Sequence, residues 1–199
     1  MTNLTIDTLE KYKNFINSTP DEKIKILIHA CCAPCSSEVL NTLKQHADIT
    51  IYYYNPNTYP YEEYIKRYDE FEKLPYGFDI IKEDYNEQEY LDFVKDYTHL
   101  KEGSLHCYKC YELRLKQTAK KAKELGFDFF TTTLSISPYN SSNLINELGF
   151  KYGEEFDIKF LYSDFKKNDG YKKSIVLSKE FDLYRQEYCG CRFSIEEFK

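Results

Sequence analysis

Residues 24–37 read IKILIHACCAPCSS, and this stretch decides the fold. The apolar run from Ile24 to Ala30 has the length of a buried strand and is far too short to cross a membrane. It stops abruptly at CCAPCSS, after which Val39, Leu40 and Leu43 recur at helical spacing. Strand, turn and helix follow one another directly.

The unit repeats along the chain. ITIYYY (49–54) leads through the turn-rich NPNTYP into a helix carrying Tyr61, Tyr64, Ile65, Tyr68 and Phe71, with Pro60 suited to its first turn. FDIIKE from Phe78 is a third strand, followed by an Asn86–Glu89 capping pattern and a helix bearing Tyr90, Phe93, Val94 and Tyr97. After a loop at 99–106, the spacing of Tyr111, Leu115, Ala119 and Ala122 predicts a helix from near Cys107 to Gly126. FDFFTTT from Phe127 is the next strand. Ser137 is predicted to cap a helix that has Pro138 at its first position and runs to Gly149, and FDIKFLY (156–162) is the fifth strand.

This alternation predicts the α/β class, a mostly parallel sheet of about five strands with helices on both faces. One domain over 1–199 is expected: a leading amphipathic helix in 1–22, ending before Pro20; an α/β core over 23–162; and a C-terminal extension over 163–199. The extension holds a lysine-rich loop (DFKKNDGYKKS, 164–174), a helix through Ile175, Val176 and Phe181, and a CGC loop in which Gly190 permits a sharp bend. In such sheets ligands sit beyond the carboxyl ends of the strands, where strand order reverses, and CCAPC stands at such a position.

Composition narrows the class. With 42% hydrophobic residues and both signs of charge interspersed, the chain is not globally disordered, and its net charge of −6 argues against indiscriminate nucleic-acid binding. No run of 18 apolar residues occurs, and MTNLTIDTLEKYKNF has neither the basic start nor the apolar stretch of a secretory signal, so a cytosolic protein away from membranes is expected.

The seven cysteines fall in three tight groups: Cys31, Cys32 and Cys35; Cys107 and Cys110; Cys189 and Cys191. An odd number of near-adjacent thiols in a reducing compartment is a poor disulfide scaffold, and cysteines serving only as small core residues would scatter. Cys107 and Cys110 lie three apart at a predicted helix start, so their sulfurs share one face of the first turn, where the helix dipole favours thiolate. If all three groups converge at one sheet edge, seven thiols exceed what a single tetrahedral zinc uses, and two metals or one cluster are implied. A thioredoxin-type dithiol is the competing chemistry, against which the two further thiol groups count. The fold resembles the nucleotide alpha hydrolases (HUP, Rossmann-like), but the first turn reads HACCAPCSS in place of a glycine-rich SGGxDS phosphate cradle, which argues against ATP.

Taken together, LIHACCAPCS, YNPN with EEYIKR, CYKCYELRL, TTTLSISP, DFKK with GYKKS, and YRQEYCGCRFS resemble the QueH-type epoxyqueuosine reductase family, over residues 26–194 and in the expected order. The resemblance implies reduction of epoxyqueuosine to queuosine at the wobble position of tRNA, without cobalamin. It also implies a 4Fe-4S cluster beside a second metal, iron or alternatively zinc. An inner sphere containing a carboxylate is implied too; no Asp adjoins CCAPC, Cys35 is the candidate for that place, and the division of cysteines between the metals stays open.

The chemistry needs electrons from an external donor protein, protons, and phosphate and base contacts. His29, His106 and Tyr188 are candidate proton donors beside cysteine motifs, with Tyr108 a similar case, although a packed structural role is the commoner one for such residues. Candidate substrate-binding cations are Arg114, four residues after Cys110, Lys166, Lys167, Lys172 and Lys173, and Arg185 and Arg192 flanking the CGC loop. Tyr53, Tyr54 or Tyr139 are candidates to stack on an extruded base. Two other functions compete: a cluster-dependent tRNA sulfur transferase, and a non-catalytic zinc module that binds RNA or protein.

Overall fold

The computed structural model describes residues 7–8 and 23–197. β1 (Lys25–His29) lies at the centre of the sheet, paired in parallel with β2 (Asp48–Tyr53) on one side and β4 (Phe129–Thr132) on the other. β3 (Asp79–Lys82) and β5 (Lys159–Phe160) form the edges, so the order is β3-β2-β1-β4-β5 and every pairing is parallel. The strand order reverses between β1 and β4. That gap, at the carboxyl ends, is where such sheets hold ligands.

The helices are α1 (Ala33–Leu43), α2 (Tyr61–Asp69), α3 (Glu87–Val94), α4 (Leu105–Glu124), α5 (Ser142–Glu155), α6 (Gly170–Glu180) and the short α7 (Arg192–Glu197). Successive residues of β1 point to opposite faces, and each face has its own core. Ile26 and Ile28 pack with Val39, Leu40 and Phe165 under α1, while Leu27 packs with Phe130, Leu113, Leu115 and Leu148 under α4 and α5. α4 leads into β4 and lies against both β1 and β4. A crossover helix runs opposite to its strands, so the first turns of α1 and α4 meet at the same carboxyl edge.

The predicted leading helix of 1–22 falls outside the described residues, apart from residues 7–8. Among the described residues no helix is long and apolar enough to cross a membrane. α4 begins at Leu105, inside the stretch expected to be loop. The predicted cap at Ser137 is a correction. β4 passes into a 3₁₀ turn, Thr133–Ile136, which Ser137 ends, and α5 starts later, capped by Ser141, whose hydroxyl accepts the Leu144 amide at 3.4 Å. Ser137 is already committed, accepting the Tyr139 amide at 3.3 Å, while the Asn140 side chain donates to the Leu134 carbonyl at 2.9 Å and folds the loop back.

Nor does α5 stop at Gly149. A Cβ there would lie 2.3 Å from the Phe160 ring, so this glycine serves a close helix-to-strand approach and not a helix end. The fifth strand is reduced to Lys159–Phe160, because Asp157, at φ 52°, still belongs to the turn leaving α5.

Candidate metal centre

β1 ends at His29, and Cys32 is the extended N-cap of α1, with Pro34 in the first turn. The tight exit from a central strand leaves Cys31, Cys32 and Cys35 on one turn, their sulfurs within 4.8 Å of one another. Among the described residues this is the one set of three ligand-type side chains so close together. Cys31 and Cys32 Sγ are 3.7 Å apart, and the Gln186 side-chain amide donates to Cys32 Sγ at 3.2 Å. Hydrogen bonds from Cys31 and Cys35, helped by the charge of Arg67 and by Gln186, hold the Cys32 thiol well below its ordinary value, while Cys31 and Cys35 are pushed up. Of the three, Cys32 is the one whose thiolate its surroundings favour.

The second and third groups face the other side of the same edge. Cys107, in the first turn of α4, accepts the Gly103 amide at 3.2 Å, and Cys110 is buried one turn further on. Cys110 and Cys191 share the apolar cluster of the α4 face, with Cys31 packed against it. The Cys191 thiol is drawn down by hydrogen bonds from Cys189 and from His106 and Ser194, whereas burial lifts Cys110 to about 11. Cys189 is exposed at the mouth.

Arg114 is buried beside Cys110. Its side chain is 3% exposed, its Nε donates to the Cys110 carbonyl at 3.1 Å, and its charge is felt by Cys110, then Cys189, then Cys31. It makes no ion pair with a carboxylate among the described residues, so a buried cation faces thiols drawn from three separate segments. Such a cation is costly to bury unless the site carries negative charge.

The predicted proton donors differ in setting. His29 is fully buried: its Nε2 donates to the Tyr54 carbonyl at 3.1 Å, so its Nδ1 accepts the Thr132 hydroxyl at 2.9 Å, and burial, aided by Arg114, lowers it to about 3. It is a neutral tie across β1, β2 and β4. His106 is buried between the Tyr90 hydroxyl, 2.7 Å from Nε2, and Cys191, with Phe193 edge-on to its ring at 4.7 Å. Tyr188 is half-buried and donates to the Tyr59 carbonyl at 3.3 Å. Tyr108 packs against the α4-side core.

The cations other than Arg114 are engaged. Lys166 and Lys167 pair with Asp164, Lys172 with Asp169 and Lys173 with Glu38. Arg192 forms a two-pronged pair with Glu87 at 2.8 and 2.9 Å, and Arg185 donates to Ser178 Oγ at 3.0 Å on α6. Tyr53 and Tyr54 are buried and unavailable for stacking, whereas Tyr139 is 90% exposed on the loop after β4. Its neighbour Asn140 accepts the Tyr111 hydroxyl at 2.8 Å, and Tyr111 lies beside Arg114, so that loop borders the thiols.

Three contributors escaped the sequence reading: Arg67, Gln186 and Tyr90. The first two lie inside motifs that carried the resemblance, EEYIKR and YRQEYCGCRFS, and Tyr90 read as an ordinary core position. The Glu63–Arg67 spacing was a readable sign of an i,i+4 pair, but nothing local shows that it is buried.

Fold and site define a class: a parallel α/β protein with a cysteine-rich, cation-backed centre at the switch point of its sheet, able to hold thiophilic metal. Over residues 26–197 the chain matches the family model described as "Epoxyqueuosine reductase QueH", and it belongs to that family. Proteins named Epoxyqueuosine reductase QueH are similar along most of the chain. The Staphylococcus epidermidis protein is 41% identical over 183 residues, covering 87% of this chain and 77% of its own. The Streptococcus pyogenes protein is 42% identical over 177 residues, 85% of this chain and 69% of its own. The Thermotoga maritima protein is 37% identical over 177 residues, 86% and 91% respectively.

Proposed function

We propose that this chain reduces epoxyqueuosine to queuosine in tRNA at an iron-sulfur cluster with an adjacent metal, both held by the cysteines of its three groups. Family membership supports the reaction. The observation that carries the site assignment is the trio Cys31, Cys32 and Cys35, whose sulfurs lie within 4.8 Å of one another, with Cys110 and Cys191 in the core cluster against which Cys31 packs. The donor set fits the group: soft sulfur ligands suit iron-sulfur or zinc centres and do not suit magnesium or calcium.

Opening the epoxide to an alkene consumes two electrons and two protons and releases water. When bound, the centre supplies electrons one at a time and Lewis acidity towards the epoxide oxygen. The protein's residues do the rest. The trio at Cys31, Cys32 and Cys35 and the pairs Cys107/Cys110 and Cys189/Cys191 bind; Arg114 balances the thiolate charge; and Tyr90 and His106 orient Cys110 and Cys191 from behind. Tyr188 is the better-placed proton donor, since the residue is only half-buried beside the CGC loop and its hydroxyl is held by a single long bond of 3.3 Å, while His106 can pass a proton only through Tyr90 or Cys191. Tyr139 offers its ring to a base of the tRNA, and Lys167, Lys172 and Lys173, each more than half exposed, have donors to spare for phosphate beside their present carboxylate partners. Electrons come from a separate donor protein, and the work takes place in the cytoplasm, where the tRNA is.

Nucleoside mass spectrometry on epoxyqueuosine-containing tRNA, before and after incubation with anaerobically purified protein and a reductant, tests the reading. Epoxyqueuosine is expected to fall as queuosine rises. Unchanged epoxyqueuosine with iron-loaded protein overturns it.

A further inference from the structure

Arg67, on α2, is 2% exposed and makes contacts that a helix-surface arginine has no reason to make. Its Nε donates to Glu63 at 2.7 Å and its Nη1 to the backbone carbonyl of Cys189 at 3.0 Å. The third nitrogen, Nη2, is buried with no hydrogen-bond partner. Gly190 presses on the guanidinium so closely that a Cβ there would lie 2.5 Å from Nη1, and Tyr188 lays its ring 5.3 Å from the guanidinium carbon. The segment Arg67 holds also reaches the CCAPC turn, where the Gln186 side-chain amide donates to Cys32 Sγ at 3.2 Å. One side chain thus grips the CGC loop, in a segment that also contacts the CCAPC turn, with a donor left over.

We propose that Arg67 is a positioning residue that clasps the CGC loop over the CCAPC turn and presents its free Nη2 to the anionic centre held between them, raising that centre's reduction potential. An unpaired buried donor on a cation is costly, and an anionic ligand at the site removes the cost. A planar fork can serve a carboxylate, a carbonyl and an anion at once; an ammonium cannot hold that geometry. The proposal rests on the iron-sulfur reading above, and its test separates the two.

The test compares wild-type protein with Arg67→Met and Arg67→Lys. Tyr59 reports the clasp in the metal-free protein, since its amide donates to the Gly190 carbonyl at 2.7 Å. Its hydrogen exchange is expected to quicken tenfold or more in both variants, and unchanged exchange overturns the clasp. In anaerobically loaded protein, a redox titration followed by electron paramagnetic resonance reads the charge. Arg67→Met is expected to lower the reduced-to-oxidised ratio at fixed potential about tenfold, roughly 59 mV for a one-electron couple, with Arg67→Lys restoring most of it. A potential unmoved in Arg67→Met overturns the charge role. Wild-type protein with no iron-sulfur signal defeats the site reading, and Tyr59 exchange still decides the clasp.

Discussion

The Gln186 side-chain amide donates to Cys32 Sγ at 3.2 Å, joining positions 154 residues apart. The contact ends a strap of hydrogen bonds that carries the C-terminal segment along α2 to the first turn of α1. Lys73 donates to the Asp182 carbonyl at 2.9 Å, the Tyr184 amide donates to Glu70 at 2.7 Å, and the Tyr59 amide donates to the Gly190 carbonyl at 2.7 Å. The strap holds the CGC pair from the α2 side, while the core cluster shared by Cys191 and Cys110 holds it from the α4 side.

Replacing Gln186 with Leu keeps the bulk and removes the donor to Cys32. Hydrogen bonds to metal-ligating groups are typically worth about 10–100-fold in affinity. Iron is therefore expected to leave Gln186→Leu at least tenfold faster under a chelator, as read by the decay of visible absorbance, with little change in far-ultraviolet circular dichroism.

Tyr139 is exposed but sits on a loop pinned by Asn140 and Lys166, the latter donating to the Asn140 carbonyl at 2.7 Å. Stacking on a base is worth about 1–3 kcal/mol. Tyr139→Ala is expected to raise KM for tRNA roughly tenfold with kcat nearly unchanged, and Tyr139→Phe to stay close to wild type. Steady-state kinetics on an anticodon stem-loop check both.

Gly149→Ala places a methyl group against the Phe160 ring, where its carbon would stand 2.3 Å away. Overpacking of this kind costs about 1–3 kcal/mol. Urea denaturation should show that loss, and Phe160→Leu in the same chain should recover part of it.

Glu112, two residues after Cys110 on α4, gives a pH signature through its own cluster with Lys109, Lys151 and Tyr152. Burial pushes its carboxyl up, but hydrogen bonds from Lys109, Lys151 and Tyr152 outweigh this and hold it down to about 2, against an ordinary 4.5. A folded-state value below the unfolded one stabilises the fold above the unfolded value and ceases to do so as pH falls through the folded one. Wild-type protein should therefore exceed Glu112→Gln in stability at neutral pH, with the gap closing as pH falls from about 4.5 towards 2. Urea midpoints across that range measure it.

The readable parts of the fold and site were those written in local pattern. β1 and the CCAPC turn follow from an apolar run ending in a small, proline-containing turn, and Arg114 followed from its four-residue offset from Cys110. What stayed hidden depends on distant partners. Nothing near Arg67 in sequence announces the Cys189 carbonyl, and nothing near Gln186 announces Cys32. Of the lysines of 166–173, only Lys173 has a partner that local sequence hides, Glu38; Asp164 and Asp169 stand within three residues of the others. Gly149 looked like a helix end because the ring it accommodates lies on another element.

The most direct measurement of the central claim is Mössbauer spectroscopy on protein grown with ⁵⁷Fe and purified without oxygen, alongside single alanine variants at Cys32, Cys110 and Cys191. Wild-type protein is predicted to show sulfide-bridged iron, and each variant, though from a different segment, to lose most of that signal. Zinc in place of iron in wild-type protein, or a signal indifferent to one of the three segments, would contradict the account.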